Sequence, residues 1–114
     1  MGAPATLSIE DEAGNAHLPL DLQMGEWIVG RGDAAQPVDL DLTNFQGVER
    51  GVSRQHAYFI YQQGSVYLVD LDSYNGTYLN GLQLQSGKMY RLRHGDEVEF
   101  GQLRAVFRLA SSGY

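Results

Sequence analysis

Cysteine is absent from all 114 residues, which excludes disulfides, a thiol nucleophile and a cysteine-built zinc centre. Basic residues are scarce too: eight Lys and Arg stand against fourteen Asp and Glu, a formal charge of −6. That balance argues against a general nucleic-acid binder, whose affinity for phosphate backbones needs a basic surface. No run of 18 apolar residues occurs, so no membrane span is expected. The opening Met1-Gly2-Ala3-Pro4 lacks the basic region and apolar stretch of a signal peptide. With no cysteine, this points to a reducing, cytoplasmic setting. Helical periodicity is missing as well: no dozen-residue window holds apolar positions at i, i+3, i+4 and i+7.

What the chain has is strand. Seven Tyr and four Phe favour strands over helices, and fourteen Gly against three Pro supply tight turns. Apolar positions alternate in Ala5–Glu10 and, after Gly14-Asn15, in Leu18–Leu22. Trp27–Val29, Val38–Leu42, His56–Tyr61 and Val66–Leu71 follow, then Leu82–Leu84, Lys88–Leu92, Glu97–Phe100 and Leu103–Leu109. Gln62-Gln63-Gly64-Ser65 reads as a hairpin turn, as do Asn75-Gly76 and Asn80-Gly81, because Asn and Gly tolerate positive φ. Thr43–Val52, with Phe45 and Val48, reads as a packed loop. About ten or eleven short strands in one domain of 1–114 predict an all-β sandwich or barrel.

Three polar clusters sit where strand-like runs meet turns: Gly30-Arg31, then Ser53-Arg54-Gln55-His56, then Asn75-Gly76-Thr77-Tyr78-Leu79-Asn80-Gly81. They offer two guanidinium groups, a hydroxyl and an amide, a set suited to holding a phosphate on a peptide. Arg50 could add a third positive charge on an otherwise acidic body. Other motifs carry less. Arg31-Gly32-Asp33 spells an adhesion tripeptide and Asn75-Gly76-Thr77 a glycosylation sequon, but both need a secretory route. Gly30-Arg31-Gly32 lacks the Gly-Lys-Ser/Thr of a nucleotide loop. His17, His56 and His94 are isolated singles that offer no metal site. Ser53 and His56 come without a nucleophile elbow or acid partner, so a hydrolase is not expected.

In this order the clusters closely resemble the forkhead-associated (FHA) domain, over about residues 27–109. The resemblance implies a β-sandwich of mainly antiparallel strands with its binding loops at one end, reading phosphothreonine in partner proteins. It implies that Arg31 is the principal phosphate contact, that Ser53 donates its hydroxyl to the phosphate, and that Arg54 adds a second contact. Asn75 would clamp the peptide backbone. Tyr74 stands where the family usually has Ser or Thr lining the phosphate and methyl pocket, so the threonine preference rests on a departure from the pattern. His56 would brace the loops by hydrogen bonds, with Gly30 and Gly76 supporting them. No catalytic residue, metal or cofactor follows from the resemblance, and the partner is a phosphorylated protein segment met by a module of some larger assembly. A phosphate-independent scaffold or oligomerisation domain of the same fold is the alternative reading.

Overall fold

The alternation becomes strand along most of the chain. The computed structural model describes residues 4–11, 14–21 and 25–109. Among these the strands are β1 (Pro4–Asp11), β2 (Gly14–Asp21), β3 (Glu26–Gly30), β4 (Leu40–Asp41), β5 (Ala57–Gln62) and β6 (Ser65–Asp70). They continue as β7 (Thr77–Leu79), β8 (Leu82–Gln83), β9 (Tyr90–Leu92), β10 (Glu97–Phe100) and β11 (Leu103–Leu109). One sheet runs β2-β1-β11-β10-β7-β8 and the other β4-β3-β5-β6-β9. Among the pairings described, only β3–β4 is parallel.

The sheets pack face to face through the inward residues of each strand. On β11, Leu103, Ala105 and Phe107 are buried while Arg104 and Arg108 are exposed, the two-residue period of a half-buried strand. Phe59 of one sheet meets Phe100 and Phe107 of the other, each at 6.4 Å between ring centroids. All three rings are fully buried, each worth about 1.5–3 kcal/mol of burial. This is the expected sandwich.

Several local readings change. Val38–Leu42 yields only Leu40–Asp41 as strand; Asp39 just before it donates its backbone N–H to Ile28 O (2.8 Å) but takes the Ile28 N–H on its carboxylate (2.8 Å) in place of a second backbone bond. The second strand begins earlier than Leu18, with Gly14 and Asn15 already paired opposite Asp11 and Glu10. Leu22, expected to end that strand, lies outside the described residues. Thr77–Leu79, read only as part of a turn-rich cluster, is a strand.

The two Asn-Gly pairs differ. Asn80 and Gly81 adopt φ of 50° and 86° and join β7 to β8 as a tight hairpin. Asn75-Gly76 is no hairpin: it carries the chain from β6 in one sheet to β7 in the other, with only Gly76 at positive φ. Gln63 and Gly64 (φ 53° and 80°) do form the expected hairpin between β5 and β6.

The Thr43–Val52 stretch is packed by hydrogen-bonded turns, including a short 3-10 turn at Thr43–Phe45. Val52 N–H to Gly47 O (2.8 Å) and Arg50 N–H to Gln46 O (2.9 Å) tie it to itself. Leu42 and Val52 are buried at its ends, whereas Val48 is 61% exposed and so does not pack inward as expected. Register places three loops at one pole. β3 ends at Gly30 beside the start of β5, β6 ends at Asp70 opposite Ala57, and β7 begins opposite the end of β10. The loops 31–39, 42–56 and 71–76 therefore leave the sandwich together.

Candidate functional site

The loop pole is drawn tight by its glycines. Gly30 is less a turn glycine than a close-packing one: a Cβ there would lie 2.1 Å from the Arg54 carbonyl oxygen and 2.7 Å from that of Ser53. With no side chain at 30, the 42–56 loop presses against the end of β3, and Arg31 N–H donates to Ser53 O (3.1 Å).

Arg31 is anchored and still available. Its Nε–H donates to Val52 O at 2.7 Å. A guanidinium has five N–H donors, so the four on its two Nη nitrogens remain for a ligand, presented end-on as a fork. Ser53 lies next to it. Its oxygen accepts the Tyr74 N–H at 3.0 Å, which joins the 42–56 loop to the 71–76 loop. The hydroxyl hydrogen is left to donate outward, since its oxygen can accept and donate at once. Arg31, Ser53 and Arg54 line one shallow depression with Gln36, Gln55 and Leu71.

Arg54 reaches this depression already paired. Its Nε lies 3.3 Å from Asp33 Oδ2, both side chains being about half exposed. Asp33, set aside in the sequence as part of an adhesion tripeptide, is thus the site residue that sequence reading missed. Nothing in the sequence pairs it with Arg54, since the contact joins two separate loops.

His56 is the brace beneath. It is fully buried, edge-on to Phe100 with ring centroids 5.6 Å apart. Its Nδ1 accepts the Ser53 N–H (2.9 Å) and its Nε2 lies 2.8 Å from Gly76 O. The proton must therefore sit on Nε2, which donates to that carbonyl. Burial pushes the imidazole pKa below 6.5, only partly opposed by the Gly76 carbonyl and the Asp70 carboxylate. Both ring nitrogens are engaged and neither bonds the Ser53 hydroxyl, so the pair lacks the base–nucleophile contact that a hydrolase requires.

Gly76 gathers the remaining elements. Its carbonyl accepts from His56 and also from Gly101 N–H (2.9 Å), which binds the turn between β10 and β11 to the pole. Nearby, the buried Asp70 carboxylate takes the hydroxyls of Ser73 and Thr77, each at 2.6 Å, shaping the 71–76 loop from within.

Asn75 is held on the 71–76 loop by the facing segment. Its Nδ2 donates to Gly51 O at 3.0 Å, leaving its carbonyl oxygen and second N–H outward. It lines a groove separate from the Arg31 depression, together with Arg50, Tyr78, Glu99 and Gln102. Arg50 belongs to that groove, so it stands apart from Arg31 and Arg54. The Tyr74 ring is 92% exposed and lines neither hollow; the backbone of Tyr74 touches Ser53 while its phenol projects into solvent. Among the described residues no group of three or more His, Cys, Asp or Glu could hold a metal ion, and no helix is long and apolar enough to cross a membrane.

The FHA domain family model matches residues 27–101. The chain is 36% identical over 85 residues to protein FraH of Nostoc sp., covering 72% of this chain and 29% of that protein. It is 31% identical over 108 residues to FHA domain-containing protein FhaA of Mycobacterium tuberculosis, 95% of this chain and 18% of the relative. It therefore spans well under half the length of these two relatives. Among solved structures it aligns with the MEK1 FHA domain in complex with a HOP1 phosphothreonine peptide, with a TM-score of 0.70 and 32% identity over 96% of this chain and 99% of that one. The ordered Arg31, Ser53 and Asn75 clusters, the two-sheet sandwich and these matches agree, and the chain belongs to the forkhead-associated domain family.

Proposed function

We propose that this chain is a non-catalytic recognition module for phosphothreonine-containing protein segments. The observation that carries the reading is the donor set at the loop pole: Arg31, whose Nη groups are not used by Val52, Ser53, whose oxygen accepts from Tyr74 and leaves its O–H to donate, and Arg54 all line one depression. Membership of a family with a solved relative holding a phosphothreonine peptide supports it. In this reading Arg31 takes two phosphate oxygens, Ser53 a third bond and Arg54 the residual charge. Asn75 holds the peptide backbone with the oxygen and N–H that Gly51 leaves unused. Tyr74 acts mainly through its backbone, which fixes Ser53, while Gly30, His56 and Gly76 keep the loops in register. The chain acts as a single domain within a larger, cytoplasmic protein, without a cofactor.

Charge-assisted bonds contribute about 1.5–3 kcal/mol each. Several of them plus backbone contacts reach the roughly −8 kcal/mol of micromolar affinity. Calorimetric titration with matched phosphothreonine and unphosphorylated peptides tests the reading. Binding of the first at micromolar concentration and none of the second is expected. A diverse phosphothreonine library without any phosphate-dependent binder at about 100 μM protein (some 5.5 kcal/mol of affinity) would leave the scaffold alternative standing.

A further inference from the structure

Asp33 is the negative group built into the positive spot. Its ion pair with Arg54 is the only salt bridge among the described residues. Its other oxygen, Oδ1, accepts the backbone N–H groups of Ala35 (3.0 Å) and Gln36 (2.8 Å), and its own N–H donates to Gln36 O (3.1 Å). Gln36 in turn lines the Arg31 depression. The carboxylate is thereby pinned at the rim by the loop that carries it. Were Arg54 to turn toward another anion, this loop would hold Asp33 in place.

We propose that Asp33 is a specificity-determining residue that selects phosphothreonine segments carrying a Lys or Arg beside the phosphorylated residue. Resting on the phosphopeptide reading above, the mechanism is an exchange of ion pairs. Arg54 leaves Asp33 Oδ2 for the phosphate, and the abandoned carboxylate oxygen faces the bound peptide as a fixed negative charge. A basic flanking side chain takes up that oxygen. A neutral flank leaves it to water, and an acidic flank meets like charge. The carboxylate also competes with phosphate for Arg54, so the unliganded pole is partly self-neutralised. The chain as a whole is acidic, at a formal charge of −6, and favours basic peptides at long range in the same sense, so the local selection is the part of the preference that Asp33→Asn removes.

The experiment is a titration of wild type, Asp33→Asn, Arg54→Gln and the double variant with one phosphothreonine peptide whose neighbouring positions are changed in turn to Lys, Ala and Glu, each with an unphosphorylated control. Asparagine keeps an oxygen for the Ala35 and Gln36 N–H groups, so the loop conformation is retained. For wild type, one flanking position is expected to show affinity falling in the order Lys, Ala, Glu, with about three- to five-fold between steps, the scale of an exposed ion pair. In Asp33→Asn this order collapses to within twofold, and the Ala-flanked peptide binds about two- to five-fold tighter than to wild type. In the Arg54→Gln background, Asp33→Asn gives a smaller gain for the Ala-flanked peptide, because no pair remains to be broken. Phosphate-dependent binding with the same flank preference in wild type and Asp33→Asn would overturn the assignment while leaving the phosphopeptide reading intact. Absence of phosphate-dependent binding in both proteins would overturn the two together.

Discussion

At the scale of single residues, the pole is built from side chains with one function directed inward and another outward. Arg31 commits Nε to Val52 O and presents its Nη groups; Ser53 commits its lone pair and presents its hydrogen; Asn75 commits one N–H and presents the rest. The inward bond fixes the geometry of the outward one, which lowers the entropy lost on binding. Arg31→Ala is therefore expected to weaken phosphopeptide binding by about 2–5 kcal/mol, since the phosphate loses its best partner. Arg31→Lys should recover little of this, because an ammonium can neither reproduce the fork nor reach Val52 O and phosphate together. Titration with both variants, alongside thermal melts that stay near wild type, checks this. Unchanged affinity in both would remove Arg31 from the site. These residues were legible in the sequence because each ends or opens a strand in a fixed order. The close packing of the 42–56 loop on Gly30 and the pairing of Asp33 were not, since a carbonyl that leaves no room for a Cβ and a salt bridge across loops exist only after the chain has folded.

At the scale of elements, loops hold loops. The 42–56 segment is fastened to the end of β3 through Arg31, to the 71–76 loop through Tyr74 and Asn75, and to the β10–β11 turn through Gln102 N–H to Arg50 O (2.7 Å). Gly51 is another tight point of this segment. Its φ is +76°, and a Cβ there would lie 2.5 Å from Asn75 Nδ2. Gly51→Ala should cost about 1–2 kcal/mol of stability from the left-handed backbone alone. It should also push the Asn75 amide off its seat and weaken peptide binding. The decisive comparison is a double-mutant cycle by titration: in an Asn75→Ala background, Gly51→Ala should still destabilise but no longer weaken binding. An undiminished effect on binding would mean that Gly51 acts by some route other than Asn75. The strands themselves were largely readable from alternation. The Asn75-Gly76 crossing was misread because the dipeptide states that the chain turns, not whether the next strand joins the same sheet.

At the scale of the whole molecule, the buried His56 links stability to pH. Folding holds the imidazole neutral with its pKa depressed by burial, whereas the unfolded chain takes up a proton near 6.5. The unfolded state thus binds more protons below that value, so the stabilisation is complete above pH 6.5 and is lost progressively as pH falls toward the folded pKa. Protonation would also remove the acceptor for Ser53 N–H and so loosen the pole. Melting temperature should fall between about pH 6.5 and 5, before ordinary carboxylates near 4 begin to titrate. In a His56→Gln protein that still folds, the slope over this window should flatten. An equal slope would place its origin elsewhere.

The direction of β11 has a further consequence. Leaving the Gly101-Gln102 turn at the loop pole, it runs seven residues, about 20 Å at ordinary strand rise, and ends at Leu109 beside Ala5 of β1. Entry into β1 and exit from β11 are therefore neighbours at the opposite end, so a tether attached at either side hangs away from the ligand. The module resembles a plug wired from the back. Coupled to a sensor surface through residues before Pro4 or after Leu109, it should bind the same peptide with the same affinity in both orientations.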